Sequence, residues 1–184
     1  MIEVLGLDYV RTARARGVAY YTIVIKMKEI DPITIVEIGS YLGESAEIFT
    51  NQFSDCKIYC IDPWEGGFDE DDWCSKDNYS LIERDFDLRC KKYPNLIKMK
   101  GYSDSFRIVT SGVYIDGNHQ YEQVKKDILH WKDLCLEFIA GHDYYDDLTD
   151  RRQPHTAGVR KAVNEVIGIP DAVFQDGSWI KILG

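Results

Sequence analysis

The chain has 184 residues, 45% of them hydrophobic and 29% charged, which supplies a real core for one domain and leaves too little length for a second. A formal net charge of −9 and a pI near 4.9 would repel a polyphosphate, so nucleic acid is a poor partner. No run of about 18 apolar residues could span a bilayer, and Glu3 and Asp8 stand where a secretory signal needs basic and apolar residues, so a soluble cytoplasmic protein with no membrane partner is expected.

Residues 1–19, with Arg11, Arg14, Arg16 and Gly17, read as an N-terminal arm that is either a solvated extension or a cover for the active site or a partner subunit. Tyr20, Val24 and Met27 set a helix over 20–30, which Asp31-Pro32 ends. Ile33, Ile35, Val36 and Ile38 form a near-continuous apolar run, the mark of a strand covered by helices on both faces. It breaks into Gly39-Ser40-Tyr41-Leu42-Gly43, after which Leu42, Ala46, Phe49 and Phe53 give a helix its apolar stripe. A second strand over 57–61 stops at Asp62-Pro63-Trp64, and a Gly-rich, acidic insertion follows over 65–77, with Asp69, Glu70, Asp71 and Asp72 reading as a solvated face. A helix over 79–92, a strand over 96–99, a short helix over 103–107 and a strand over 112–115 come next. Tyr121, Val124, Ile128 and Trp131 recur at helical spacing, a fifth strand covers 134–140, and Val159, Ala162, Val163 and Val166 mark a last helix closed by Gly168 and Pro170. The tail, two short apolar runs around Asp176-Gly177, reads as a β-hairpin. Cys56, Cys60, Cys74, Cys90 and Cys135 are odd in number and show neither a C-x-x-C pair nor zinc spacing, so they read as reduced thiols.

Five strand–helix units followed by an antiparallel hairpin resemble the class I S-adenosylmethionine-dependent methyltransferases over nearly the full length. The resemblance implies a Rossmann-like, doubly wound α/β fold in which residues 1–184 make one domain, with a mostly parallel seven-stranded sheet and a C-terminal antiparallel hairpin. The loop after the first strand would then face the cofactor, because open α/β sheets bind ligands at the carboxyl ends of their strands. Glu37-Ile38-Gly39-Ser40-Tyr41-Leu42-Gly43 has two glycines where dinucleotide sites have three, which with the hairpin disfavours a nicotinamide-dependent oxidoreductase. S-adenosylmethionine carries an ammonium and a sulfonium and no phosphate. Glu37 can favour that positive charge, while Gly39 and Gly43 either make room for the methionine part or serve a tight turn. Asp62 is placed to accept both ribose hydroxyls or to form a turn with Pro63. Trp64 offers a flat surface for adenine or packs in the core, and Gly101, Ser103 and Asp104 either hold the adenine or begin a helix.

Further along, Ile115-Asp116-Gly117-Asn118-His119-Gln120-Tyr121-Glu122 and Gly141-His142-Asp143-Tyr144 look like the motif pair of small methyltransferases related to the macrocin-type O-methyltransferases. The resemblance implies a catalytic edge of Asp116, His119, His142 and Asp143 over the cofactor methyl group, with Asp116 also on the cofactor side. His119 would be a base near neutral pH, or else a helix N-terminal residue bonded to backbone; His142 would be a ligand or a buried orienting residue. Asp116 and Asp143 could hold a divalent cation, for which oxygen ligands suit Mg2+. Asn118 stands where relatives have an acid, and Asp133-Leu134-Cys135-Leu136-Glu137 where they have a Gly-Gly turn, departures that bear on the metal site. The loop over 144–155, with Tyr144, Tyr145, Arg151 and Arg152, would face a small acceptor such as a sugar, a natural product or an aromatic molecule. The expected activity is O-methylation, the alternative a catalytically silent S-adenosylmethionine-binding or protein-interaction module, and the arm and hairpin are candidate homodimer elements.

Overall fold

The computed structural model describes residues 18–70, 72–145 and 157–184, so nearly all of the 1–19 arm and most of the 144–155 loop lie outside the described residues. Helix α1 (Val18–Lys28) is followed by β1 (Thr34–Ile38), α2 (Glu44–Gln52), β2 (Lys57–Asp62), a 3-10 turn (Trp73–Lys76), α3 (Tyr79–Lys92) and β3 (Leu96–Lys100). A second 3-10 turn (Ser103–Ser105), β4 (Thr110–Ile115), α4 (Tyr121–Trp131), β5 (Cys135–Gly141), α5 (Ala157–Ile167), β6 (Ala172–Val173) and β7 (Trp179–Ile182) complete the order. The strands form one seven-stranded sheet in the order β3-β2-β1-β4-β5-β7-β6. β1 to β5 are parallel, β7 runs antiparallel to β5, and β6 antiparallel to β7. This is the Rossmann-like, mostly parallel seven-stranded sheet with a C-terminal antiparallel hairpin that the resemblance implied.

The apolar run of β1 has the expected cause. Successive side chains point to opposite faces of a sheet, and both faces here are covered. Ile35 joins Phe49, Ile58, Phe86, Tyr114 and Phe138 in a core shared with α1, α2 and α3. Val36 and Ile38 join Ile61, Val113, Ile128, Trp131, Ile139 and Val163 in a core shared with α4 and α5. Gly112 has a packing reason: a Cβ there would stand 2.3 Å from the Phe138 ring. Between α2 and α3, Arg89 Nε meets Glu47 Oε2 at 3.0 Å inside the protein, and the Tyr93 hydroxyl donates to Glu47 Oε1 at 2.8 Å. Removing one partner of such a pair leaves a buried charge uncompensated, so the pair fixes how α3 sits on α2.

Most boundaries agree within one residue, and the larger shifts are these. β4 begins at Thr110 rather than 112, with an irregular register against β5 between Thr110 and Gly112. The helix expected over 103–107 is a three-residue 3-10 turn, and α1 ends at Lys28. Among the described residues no helix is long and apolar enough to cross a membrane.

β1 and β4 are neighbours in the sheet although they are far apart in sequence, so the chain leaves their carboxyl ends in opposite directions. In open α/β sheets a divergence of this kind marks the place, outside the carboxyl ends of the strands, where ligands bind.

Candidate active site

Gly39 and Gly43 both adopt left-handed backbone, at φ 83° and 84°. A Cβ at Gly39 would stand 2.3 Å from the Asp116 carbonyl oxygen and 2.4 Å from the Gly117 Cα, and one at Gly43 would stand 2.9 Å from the Phe86 ring. The space that these glycines free is therefore filled by the protein's own backbone and by α3. Both serve a tight turn, and it seats the loop after β1 directly against the loop after β4.

Asp62 ties that first loop to the end of β2. Its Oδ2 accepts from the Tyr41 backbone N–H at 2.8 Å and its Oδ1 from the Trp64 N–H at 2.6 Å. Burial pushes its pKa up, and the two N–H bonds pull it back. Each carboxylate oxygen keeps a second lone pair, so the group can still accept a ligand hydroxyl. Glu37 is fully buried at the end of β1, where Ser45 Oγ donates to Oε1 at 2.5 Å and Oε2 makes no hydrogen bond. Burial pushes its pKa up to about 7; the Ser40 and Ser45 hydroxyls oppose the rise and the nearby Asp116 charge adds to it.

Two expected adenine contacts are taken up by the protein. Trp64 lies 3% exposed in the core, its ring 4.8 Å from that of Phe86 and its indole N–H donating to the Tyr41 carbonyl at 3.0 Å. It has no free face for a base. The Ser103 hydroxyl accepts from the Trp131 indole N–H at 2.8 Å and also serves Asp127, so it fastens α4 to the loop after β3. Asp104 pairs with Lys126 at 2.7 Å.

The ends of β4 and β5 bring the four residues of the expected catalytic edge together. His119 Nε2 lies 2.9 Å from Asp143 Oδ2 and 3.6 Å from Asp116 Oδ1, and His142 Nδ1 lies 3.2 Å from Asp143 Oδ1. Asp143 is thus sandwiched between two imidazoles, on a backbone held at the left-handed φ of 60°. A non-glycine residue stays in that region only when its surroundings hold it there, and such residues cluster at functional sites. Burial alone would lower the pKa of His119, but Asp116, Asp143 and Asp72 outweigh it and hold the ring well above the usual histidine value. His142 follows the same pattern, with burial overcome chiefly by Asp143, and rises to about 9. Asp143, despite its burial, is held well below the usual carboxylate range by the two rings. The neutral histidine expected at position 119 is therefore an imidazolium while these carboxylates surround it.

Asp116, His142 and Asp143 each offer a ligand atom, and these atoms lie within 4.8 Å of one another. Two carboxylate oxygens and one ring nitrogen suit a divalent cation, so the expected pair Asp116 and Asp143 fits and His142 adds a third donor.

Two carboxylates escaped the sequence reading. Asp72, in the segment over 65–77, lies 4% exposed, accepts from the Cys74 N–H at 2.9 Å and faces His119 Nδ1 at 3.6 Å. Asp69 is buried as well while Glu70 is exposed, so the solvated face expected holds for Glu70, whereas Asp69 and Asp72 turn inward. Asn118, the departure from the family pattern, accounts for part of that: its Oδ1 accepts from the Gln120 N–H at 2.8 Å and its Nδ2 donates to the Phe68 carbonyl at 3.2 Å. Asn118→Ala should cost about 1 kcal/mol of stability, the usual net worth of such bonds, and should hasten proteolytic cleavage between residues 65 and 77; an unchanged cleavage rate would mean that Asn118 does not tether the segment. The second carboxylate, Asp176 in the β6–β7 turn, lies 4.0 Å from His142 Nε2. Neither could be found from local pattern, because both contacts join segments distant in sequence.

A family model described as a methyltransferase domain matches residues 36–144, which holds both loops of the site. No curated protein matches the chain by sequence. Among solved structures the chain is similar to a Staphylococcus aureus protein assigned as a caffeoyl-CoA O-methyltransferase (TM-score 0.66, 15% identity, 90% of this chain and 82% of that one). It is similar also to the Podospora anserina methyltransferase PaMTH1 with S-adenosylhomocysteine bound (0.60, 16%, 90% and 78%). A third is the Streptomyces achromogenes O-methyltransferase TomG, involved in tomaymycin synthesis, in complex with S-adenosylmethionine (0.61, 13%, 90% and 79%). At these identities the likeness is one of fold, and the match of the family model over most of the chain decides the rest: this chain belongs to the class I S-adenosylmethionine-dependent methyltransferase family.

Proposed function

We propose that this methyltransferase carries the methyl group of S-adenosylmethionine to a hydroxyl oxygen of a small acceptor, such as a sugar, a natural product or an aromatic molecule. The observation that supports this most directly is the backbone contact between Gly39 and Asp116–Gly117. It sets Glu37 and Asp62, the carboxylates suited to a cationic amino acid and a ribose, beside the His119–Asp143–His142 cluster. The complexes of TomG and PaMTH1 with the cofactor and its demethylated product support the same reading.

Methyl transfer is an in-line displacement. A lone pair of the acceptor oxygen forms the new C–O bond, the C–S bond breaks, and the sulfonium takes its electron pair and becomes a neutral thioether, while the hydroxyl proton must leave. We assign that proton to His119 in its neutral form, which a cationic cofactor or a divalent cation beside Asp116 and Asp143 would favour by offsetting the carboxylates that keep the ring protonated. Asp116, at 20% exposure, is placed to hold the hydroxyl, and Asp143 orients both rings. A divalent cation such as Mg2+ on Asp116, Asp143 and His142 would lower the pKa of a bound hydroxyl and grip a neighbouring oxygen. The five free cysteines support a cytoplasmic setting.

Calorimetry tests the cofactor half. S-adenosylmethionine and S-adenosylhomocysteine should both bind, and Asp62→Ala should weaken each by about tenfold or more, the worth of a hydrogen bond to a charged group. Turnover on a panel of sugars, catechols and hydroxylated natural products, with product mass and position of methylation read out, tests the acceptor half. If neither ligand binds, or if the methyl group arrives on nitrogen or carbon, the reading is wrong.

A further inference from the structure

The two histidines of the edge belong to a longer alternating series. Asp72, His119, Asp143, His142 and Asp176 follow one another with separations of 3.6, 2.9, 3.2 and 4.0 Å between facing atoms. Its last member lies outside both sequence motifs, on the turn between β6 and β7. Asp176 is held there by its own turn, because Oδ1 accepts from the Ser178 backbone N–H at 2.9 Å and from Ser178 Oγ at 2.5 Å. Oδ2 is buried, makes no hydrogen bond, and faces His142 Nε2.

The turn itself is fastened to the residues that follow β5. The Tyr144 N–H donates to the Gly177 carbonyl at 2.9 Å, the Tyr145 hydroxyl donates to the Asp176 carbonyl, and the Trp179 indole N–H donates to the His142 carbonyl at 3.2 Å. Gly177 is required for this fit, since a Cβ at its φ of 86° would stand 2.5 Å from the Tyr145 ring. The hairpin, which serves the sheet as its edge, thus also carries a carboxylate to the back of His142.

We infer that Asp176 is a positioning residue for His142, attracting the proton on Nε2 so that Nδ1, whose own proton a divalent cation would displace, is the nitrogen offered to the ion beside Asp116 and Asp143. An imidazole offers one nitrogen as donor and the other as acceptor, and the group facing one nitrogen decides the role of the other. Carboxylates in that outer position fix ring orientation and raise ligand basicity, and their loss costs about 10- to 100-fold in metal affinity. The inference rests on the divalent-cation reading of the site given above and supplies a reason for the hairpin turn to carry an acid.

Mn2+ binding to the whole protein, followed by electron paramagnetic resonance of the free ion, tests it without turnover. Asp176→Asn keeps an oxygen for the Ser178 bonds and removes the charge, and should weaken Mn2+ binding about 10- to 100-fold. In a cycle with His142→Ala, the double variant should bind no more weakly than His142→Ala alone, as required if Asp176 acts through that ring. Should Asp176→Asn fold poorly, Ser178→Ala releases the same carboxylate from its turn and should give a smaller loss in the same direction. Equal Mn2+ affinity in the wild type and these variants overturns the inference, as does full additivity in the cycle. Failure of the wild type to hold Mn2+ removes it together with the metal reading, and leaves cofactor binding and methyl transfer to stand on their own calorimetry and product analysis.

Discussion

His119→Ala should lower the kcat for methyl transfer by about 100- to 10,000-fold, the range that a positioned acid–base group contributes, while changing S-adenosylmethionine affinity by less than about twofold. The split follows from where the ring sits. It touches Asp143 and faces Asp116 and Asp72, whereas the carboxylates proposed for the methionine and ribose parts of the cofactor are Glu37 and Asp62 at the ends of β1 and β2. The substitution also removes a cation from among three carboxylates, so a stability loss is expected beside the rate loss. His119→Gln separates the two effects: it restores a hydrogen-bonding side chain of similar reach without the charge, and should recover part of the stability without recovering rate. Calorimetric Kd, kcat and melting temperature are measured on each variant. Parallel loss of Kd and kcat, or recovery of rate in the glutamine variant, would make His119 a structural residue.

The order of elements was legible because it rests on local pattern. The apolar runs of β1 and β2, the helical spacing of Tyr121, Val124, Ile128 and Trp131, and the Asp176-Gly177 turn each reflect burial of a periodic face, and each appears at its expected place. The site was legible at the motif positions, since strand ends gather at one edge of a parallel sheet whatever the loops between them do. What stayed hidden depends on packing between distant segments. Trp64 at a strand end could face a ligand or the core, and only Phe86 on α3 decides for the core. Ser103 could cap a helix or meet adenine, and Trp131 decides. A run of acids reads as solvated because most such runs are, yet Asn118 and the Cys74 N–H fold Asp72 inward. The charge of His119 was misjudged for the same reason: one of the three carboxylates around it comes from that segment.

Glu37→Gln should abolish a pH dependence that the wild type owes to one buried carboxyl. With a native pKa of about 7 against an ordinary value of 4.5, Glu37 binds a proton in the folded state across a range where the unfolded chain has lost it. The native state then holds more protons than the unfolded state, so stability is fully present below the unfolded value and falls as pH rises toward 7, by about 3 kcal/mol in all, and falls no further above. Glutamine is nearly isosteric, can still accept from Ser45, and has no proton to lose. Between pH 5 and pH 8 the wild type should therefore lose about 3 kcal/mol more stability than the variant, measured by urea unfolding at each pH. Cofactor binding should show the opposite slope. An ammonium arriving beside Glu37 favours the ionised carboxylate, so near pH 7 binding should release a proton, visible as a calorimetric heat that varies with the ionisation enthalpy of the buffer. S-adenosylmethionine affinity in the wild type should rise from pH 5 to pH 8, and in Glu37→Gln it should be flat and about tenfold or more weaker at pH 8, the worth of a hydrogen bond to a charged group. Equal slopes in wild type and variant would place the titrating group elsewhere and remove Glu37 from the cofactor site.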